Sequence, residues 1–216
     1  MTQPSGGDLV VIVPCDDIRA AISVLLEGRR DGLGCAGVTH RIDRVANRDN
    51  GVRKAAEYLR VYQGSFRFAL ALLDLEGSGR ECAGAQKTES EIEDSLRRSG
   101  WEDRSAVVCI DPELEAWIWS DPGVLARTLP AIRPSLTRED VERAAQANAP
   151  GPDEDHEDAF RRTLAQLNVR ASSFVYGQLA RKARLRTCTD RAFLRLRETL
   201  RAWFPREPRT GAPDPE

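Results

Sequence analysis

Three short apolar runs constrain this chain more than any other feature: LVVIVP (9–14), FRFALALLDLEG (66–77) and SAVVCID (105–111). Each is rich in Val or Leu, and each is short and bounded by turn residues. Such runs read as strands buried on both faces. What lies between them reads as helix. Asp16-Asp17 is a helix-start signal, and Ile18, Ile22, Leu25 and Leu26 follow at helical spacing with Gly28 near the end. VTHRIDRV (38–45) alternates as a second strand does, and residues 52–63 carry Ala56, Leu59 and Tyr62 on one helical side. Ser90-Glu91-Ile92-Glu93 has the spacing of a capping box, opening a helix that ends at Gly100. Pro112 suits a first helical turn, ahead of Leu114, Trp117 and Ile118 at i, i+3, i+4. Strands alternating with helices imply right-handed crossovers. The expectation is an α/β fold with a mainly parallel sheet flanked by helices.

Past residue 130 the strand signals stop. Thr137–Ala147 reads as one helix with a capping box at Thr137 and Asp140. A Pro/Asp-rich loop (148–158) follows, then helices over about 157–168, 172–184 and 190–204. The last is capped by Asp190 and lines up Phe193, Leu196, Leu200 and Trp203. The expected division is an α/β domain over 1–130, a helical extension packed on it over 131–204, and a disordered tail over 205–216. Residues 1–7 read as a flexible leader.

The chain reads as cytoplasmic, with no membrane partner. No segment approaches the roughly 20 consecutive apolar residues of a membrane span. The opening MTQPSGGD lacks a basic region followed by an apolar one. Five scattered cysteines without a C-x-x-C pair argue against a disulfide framework or a zinc site. Ser78 sits in G-S-G, which is not a nucleophile elbow, and no phosphate-binding P-loop motif is present.

The chemistry is concentrated in carboxylates at strand ends. Asp74 and Glu76 close one strand, two residues apart and so on one face of an extended chain, with Gly77-Ser78-Gly79 after them. Asp111 closes the next strand, and Glu113 and Glu115 fall just beyond it. Ligands of parallel sheets sit beyond the carboxyl ends of the strands. Mg²⁺ and Mn²⁺ seek oxygen ligands, and phosphoryl chemistry with them needs several carboxylates from different strands. Asp74, Glu76, Glu113 and Glu115 are therefore the expected metal ligands. The alternative for Glu113 and Glu115 is complementation of a helix dipole.

LLDLEGSG, followed about forty residues later by DPELEAWIWSD, resembles the Toprim-like proteins of bacterial phage-defence loci, closest to a component of methylation-associated systems. The resemblance extends through AFLRLRETLRAWF and is most specific at P-E-L-E-A-W (112–117). It implies a compact parallel α/β domain holding Mg²⁺ or Mn²⁺ through a D-x-D, matched here by Asp74 and Glu76. It also implies a strand-one glutamate with an acid/base role. This chain departs there: Pro14-Cys15 stand in its place, and Asp16 and Asp17 are the nearest acids. The catalytic set implied is Asp16 or Asp17 with Glu115. The implied function is a metal-dependent nuclease of antiviral defence acting on DNA or RNA. The alternative is a degenerate adaptor or binding subunit working with other defence proteins.

The formal charge of −2 hides an asymmetry, because residues 160–204 hold eleven Lys/Arg against Asp190 and Glu198. One reading is a nucleic-acid surface formed by Arg181, Lys182, Arg184 and Arg186, with Tyr176 stacking on a base. The other is an Arg-rich helical face covering acidic neighbours within the fold. His40 reads as a partly buried structural residue and His156 as solvated, while Trp119 is a candidate partner contact.

Overall fold

The computed structural model describes residues 6–28, 30–121, 123–151 and 154–206. The chain opens with β1 (Gly7–Val13), α1 (Asp16–Gly28), a single turn α2 (Arg30–Leu33) and β2 (His40–Arg44). Two short helices, α3 (Arg48–Val52) and α4 (Ala55–Leu59), lead to β3 (Phe66–Asp74), α5 (Ala85–Leu96) and β4 (Ser105–Ile110). The rest is helical: α6 (Glu115–Trp119), α7 (Val124–Ile132), α8 (Arg138–Ala147), α9 (His156–Gln166), α10 (Ser173–Lys182) and α11 (Arg191–Trp203).

All four strands pair in parallel, in the order β2-β1-β3-β4. The protein is thus α/β, with a parallel sheet flanked by helices and a helical C-terminal part, consistent with a Toprim-like architecture. Side-chain alternation along the strands divides the core in two. Val10, Ile12, Ala69, Ala71, Leu73, Val107 and Cys109 pack with residues of α3, α4 and α5. Leu9, Val11, Val13, Leu70, Leu72, Val108 and Ile110 pack in one apolar cluster with α1 and the helices from α6 onward. Covering both faces is why β1, β3 and β4 are largely apolar rather than alternating, whereas the edge strand β2, HRIDR, is polar and only partly buried.

At the sheet edge, β4 would offer unpaired backbone groups to any passing strand. Side chains from α5 and α11 take up those groups. Glu93 and Glu89 accept the Val107 and Cys109 N–H groups, each at 2.9 Å. Arg195 and Arg191 donate to the Val107 and Cys109 carbonyls, each at 2.8 Å. Arg191 also grips Glu89 at 2.9 and 3.0 Å, and Arg195 grips Glu93 at 2.6 Å. Part of the C-terminal positive charge therefore meets acids inside the fold. It also explains a mis-read motif: Ser90–Glu93 is not a capping box, because α5 starts earlier, at Ala85, and Glu93 reaches for β4.

Two other expectations change. The helix expected over 52–63 is broken into α3, α4 and a 3-10 turn, Arg60–Tyr62. Asn47 and Arg48 enter it in left-handed conformations, φ 63° and 50°. A Cβ on Gly51 would lie 1.8 Å from the Ala46 carbonyl oxygen, so α3 presses directly on the exit of β2. Pro112 follows a cis peptide bond and does not start a helix; α6 begins at Glu115. Its carbonyl is instead taken by the backbone N–H groups of Leu75 and Glu76, at 3.1 and 3.2 Å. The capping box of Thr137 and Asp140 and the Asp190 cap form as read.

No helix among the described residues is long and apolar enough to cross a membrane. No disulfide joins any of the five cysteines among the described residues. Of the expected leader, residues 1–5 lie outside the described residues, and Gly7 already belongs to β1. Of the expected tail, 207–216 lie outside them.

Candidate functional site

The four strand exits open into one cleft of about 230 Å³. The β1 exit contributes Cys15 and Asp17, the β2 exit Arg48 and Asp49, the β3 exit Asp74, Glu76 and Gly77, and the β4 exit Glu113 and Glu115. Glu157 and Arg161 of α9 and Tyr176 of α10 line the remaining wall.

Backbone hydrogen bonds bring these exits together. Leu75 N–H donates to the carbonyls of Ile110 at 2.7 Å and Pro112 at 3.1 Å, so the segments carrying Asp74-x-Glu76 and Glu113-x-Glu115 are lashed to each other. Asp49 Oδ1 accepts the Asp74 N–H at 2.8 Å, tying in the β2 exit. The two β3 acids sit at different depths, because the chain turns at Leu75. Asp74 lies on the floor and Glu76 is exposed at the rim.

The electrostatics are one-sided. Asp74 is held well above the usual carboxylate range, first by burial, then by the neighbouring charges of Asp49, Glu115 and Glu113. Its Oδ1 is sealed from solvent and receives no hydrogen bond among the described residues. Burial pushes Glu113 up to about 8, against the Glu157 N–H that its Oε1 accepts at 2.6 Å. Burial pushes Glu115 up to about 7, against the hydrogen bond donated by the Tyr176 hydroxyl. Asp17, Asp49 and Glu76 are raised as well, each chiefly by burial. The lining cations are Arg48 and Arg161, and Arg161 is engaged by Glu157 at 2.8 Å.

This donor set fits a hard divalent cation. It consists of carboxylate oxygens from different strand exits, and the enclosed Asp74 oxygen must find a proton or a cation. Among the described residues, Glu76, Glu113 and Asp155 each bring one oxygen within 4.8 Å of the others, a spacing that ligands of one ion can adopt; Asp74 and Glu115 are not part of that group.

Of the residues expected to act, Asp74, Glu76, Glu113, Glu115 and Asp17 meet in this cleft. Asp16 does not line it. Asp16 is exposed and pairs with Arg19 at 2.9 Å and Arg44 at 3.8 Å, since adjacent helical residues point about 100° apart. Cys15 stands beside Asp17 as a neutral thiol, pushed up to about 11 by burial.

The basic set Arg181, Lys182, Arg184 and Arg186 is exposed but lies away from the cleft. α10 runs alongside α1 in the same sense: Tyr176 lies by Asp17, Gly177 by Ala20 and Val24, and Leu185 by Gly32 beyond the end of α1. The rise of a helix puts Lys182 about 9 Å further along from Tyr176. Tyr176 is itself buried and bonded to Glu115, so it is not a base-stacking platform.

His40 is half-buried, with Nδ1 3.2 Å from the Val38 carbonyl oxygen. His156 is half-buried rather than solvated; its carbonyl accepts the Trp119 indole N–H at 3.1 Å.

Comparison of the chain with protein-family models, curated proteins and solved structures finds no match. The site therefore rests on its geometry. Sequence reading assigned no role there to Asp155, Glu157 or Arg161. The sequence signals available were the acidic run DEDHED (153–158) and the turn residues of NRDNG (47–51).

Proposed function

We propose that the cleft binds Mg²⁺ or Mn²⁺ and that the protein is a metal-dependent nuclease acting on phosphodiester bonds of DNA or RNA. The observation that carries this reading is the enclosed, unpartnered Asp74 Oδ1 amid Asp49, Glu113 and Glu115. Glu76, Glu113 and Asp155 are the acids at ligand spacing, and Asp74 and Glu115 line the cleft floor beside them. When bound, the cation would polarise a phosphate oxygen and lower the pKa of a coordinated water. Asp17, raised chiefly by burial and without an ion pair among the described residues, is placed to hold a proton. Tyr176 orients Glu115 through its hydroxyl. Arg48 and Arg161 supply positive charge for a phosphate at the mouth. Antiviral defence is the setting that the Toprim resemblance of residues 72–79 and 111–121 supports.

A second reading is a binding subunit of a defence complex, whose cleft holds the cation without turnover. It is favoured by Cys15, a neutral thiol at the strand-one exit.

Purified protein is titrated with Mn²⁺ by electron paramagnetic resonance, then incubated with labelled DNA and RNA. Stoichiometric Mn²⁺ binding and metal-dependent cleavage, both lost in Asp74→Ala, are expected. Mn²⁺ binding without cleavage of either polymer favours the binding subunit. No difference in Mn²⁺ binding between Asp74→Ala and the unmodified chain overturns both.

A further inference from the structure

A second, larger pocket of about 660 Å³ adjoins the carboxylate cleft. It lies between α3–α4 and α5, lined by Asn50, Arg53, Lys54, Glu57, Tyr58 and Arg80 among others. The two cavities share their walls. The segment 47–51 gives Arg48 and Asp49 to the cleft but Asn47, Asn50 and Gly51 to the pocket. The β3 exit gives Glu76 and Gly77 to the cleft and, a turn later, Arg80 to the pocket. Arg53 clamps the two walls together, its Nη1 donating to Asn50 Oδ1 at 3.1 Å and to the Ser78 carbonyl at 3.2 Å.

The pocket carries three cations, Arg53, Lys54 and Arg80, against two acids, Glu57 and Glu91, whereas acids dominate the cleft. Arg80 is paired with Glu91. The side-chain partners of Arg53 are neutral, and Lys54 makes no ion pair among the described residues. Both cations are exposed at the pocket wall, Arg53 with its Nη1 engaged by Asn50 and the Ser78 carbonyl. Half-buried Tyr58 adds an aromatic wall, and the Glu57 carboxylate can accept from sugar hydroxyls or base amino groups.

An acid cleft repels a polyanion everywhere except at a bound cation, so a nucleic-acid strand that threads it needs positive charge at its border. We propose that this pocket is the subsite for the nucleotide adjoining the one processed in the cleft. Arg53 and Lys54 receive its phosphate and Tyr58 supports its sugar or base. This assignment rests on the nuclease reading for what occupies the cleft. It adds that the substrate is a strand extending past the reacting phosphate on the α4–α5 side.

The test is fluorescence anisotropy of a 5′-labelled thymidylate 10-mer, in EDTA, across a salt series. Lys54→Glu is expected to weaken binding at least tenfold, and Lys54→Gln to reduce the salt slope by about one. Mn²⁺ binding should be unchanged in both variants. Equal affinity and equal salt slope in Lys54→Glu overturn the subsite, as does failure of the unmodified protein to bind the strand at low salt. Free thymidine monophosphate competing as well as the strand overturns the assignment to a polymer. The two readings fail separately. A protein that binds no Mn²⁺ yet loses strand binding in Lys54→Glu keeps the subsite and loses the nuclease. A protein that binds Mn²⁺ but ignores Lys54→Glu does the reverse.

Discussion

Replacing Glu115 by Gln isolates the electrostatic cost of the cleft. Burial is the main cause of the raised Glu115 pKa, from 4.5 to about 7. Below about pH 4.5 the proton is held in both folded and unfolded chains, and the group costs nothing. Between there and pH 7 the unfolded chain ionises while the folded chain keeps its proton, so folding stability falls as pH rises. At 1.36 kcal/mol per pH unit, the loss reaches about 3 kcal/mol by neutral pH. Gln occupies the same volume and its amide oxygen still accepts from Tyr176, but it does not titrate.

In EDTA, thermal melting followed by circular dichroism from pH 4.5 to 8 should therefore fall more steeply for the unmodified chain than for Glu115→Gln. The gap at pH 7.5 should be about 6–12 °C, given a few degrees per kcal/mol for a chain of this size. Saturating Mg²⁺ or Mn²⁺ should close much of the gap by stabilising the ionised cleft. Parallel pH curves for the two proteins would refute the reasoning, since they would mean that Glu115 is ionised in the folded protein at no cost.

Asp74→Asn removes the enclosed charge and should raise thermal stability in EDTA, while lowering Mn²⁺ affinity and any metal-dependent cleavage by about 100-fold or more. Gly51→Ala forces a methyl into the Ala46 carbonyl, and chemical denaturation should report a loss of about 1–3 kcal/mol. Glu89→Ala strips the Cys109 N–H and Arg191 of their shared acceptor at the sheet edge; a loss of about 2–3 kcal/mol is expected, with concentration-dependent aggregation seen by light scattering. Lys182→Ala combined with Arg186→Ala should leave cleavage unchanged, whereas Arg161→Ala at the cleft mouth should reduce it.

Much of the fold was legible because it depends on period and burial. LVVIV, FALALL and AVVCI are apolar on both sides, which only a covered parallel sheet accommodates. The caps at Thr137 and Asp190 are local chemistry, and local chemistry is readable. Errors came where a residue's partner is distant in the chain. Glu93 mimics a capping residue in sequence but serves a strand fourteen residues away. Pro112 mimics a helix start but accepts hydrogen bonds from the β3 exit.

The sequence by itself determined that carboxylates would stand at the ends of parallel strands, because strand periodicity places Asp74 and Glu113 there. Only the tertiary structure decided which acids meet. It separated Asp16 from Asp17 by helical rotation, and it delivered Glu157 and Arg161 from α9 and Tyr176 from α10. It also moved the Arg181–Arg186 set away from the cleft, because α10 runs alongside α1 rather than back toward the strand exits. The physical reason is the range of the forces involved. Periodicity and caps act over a few residues, whereas desolvation and charge repulsion among Asp74, Glu113 and Glu115 exist only once packing has closed the cleft around them.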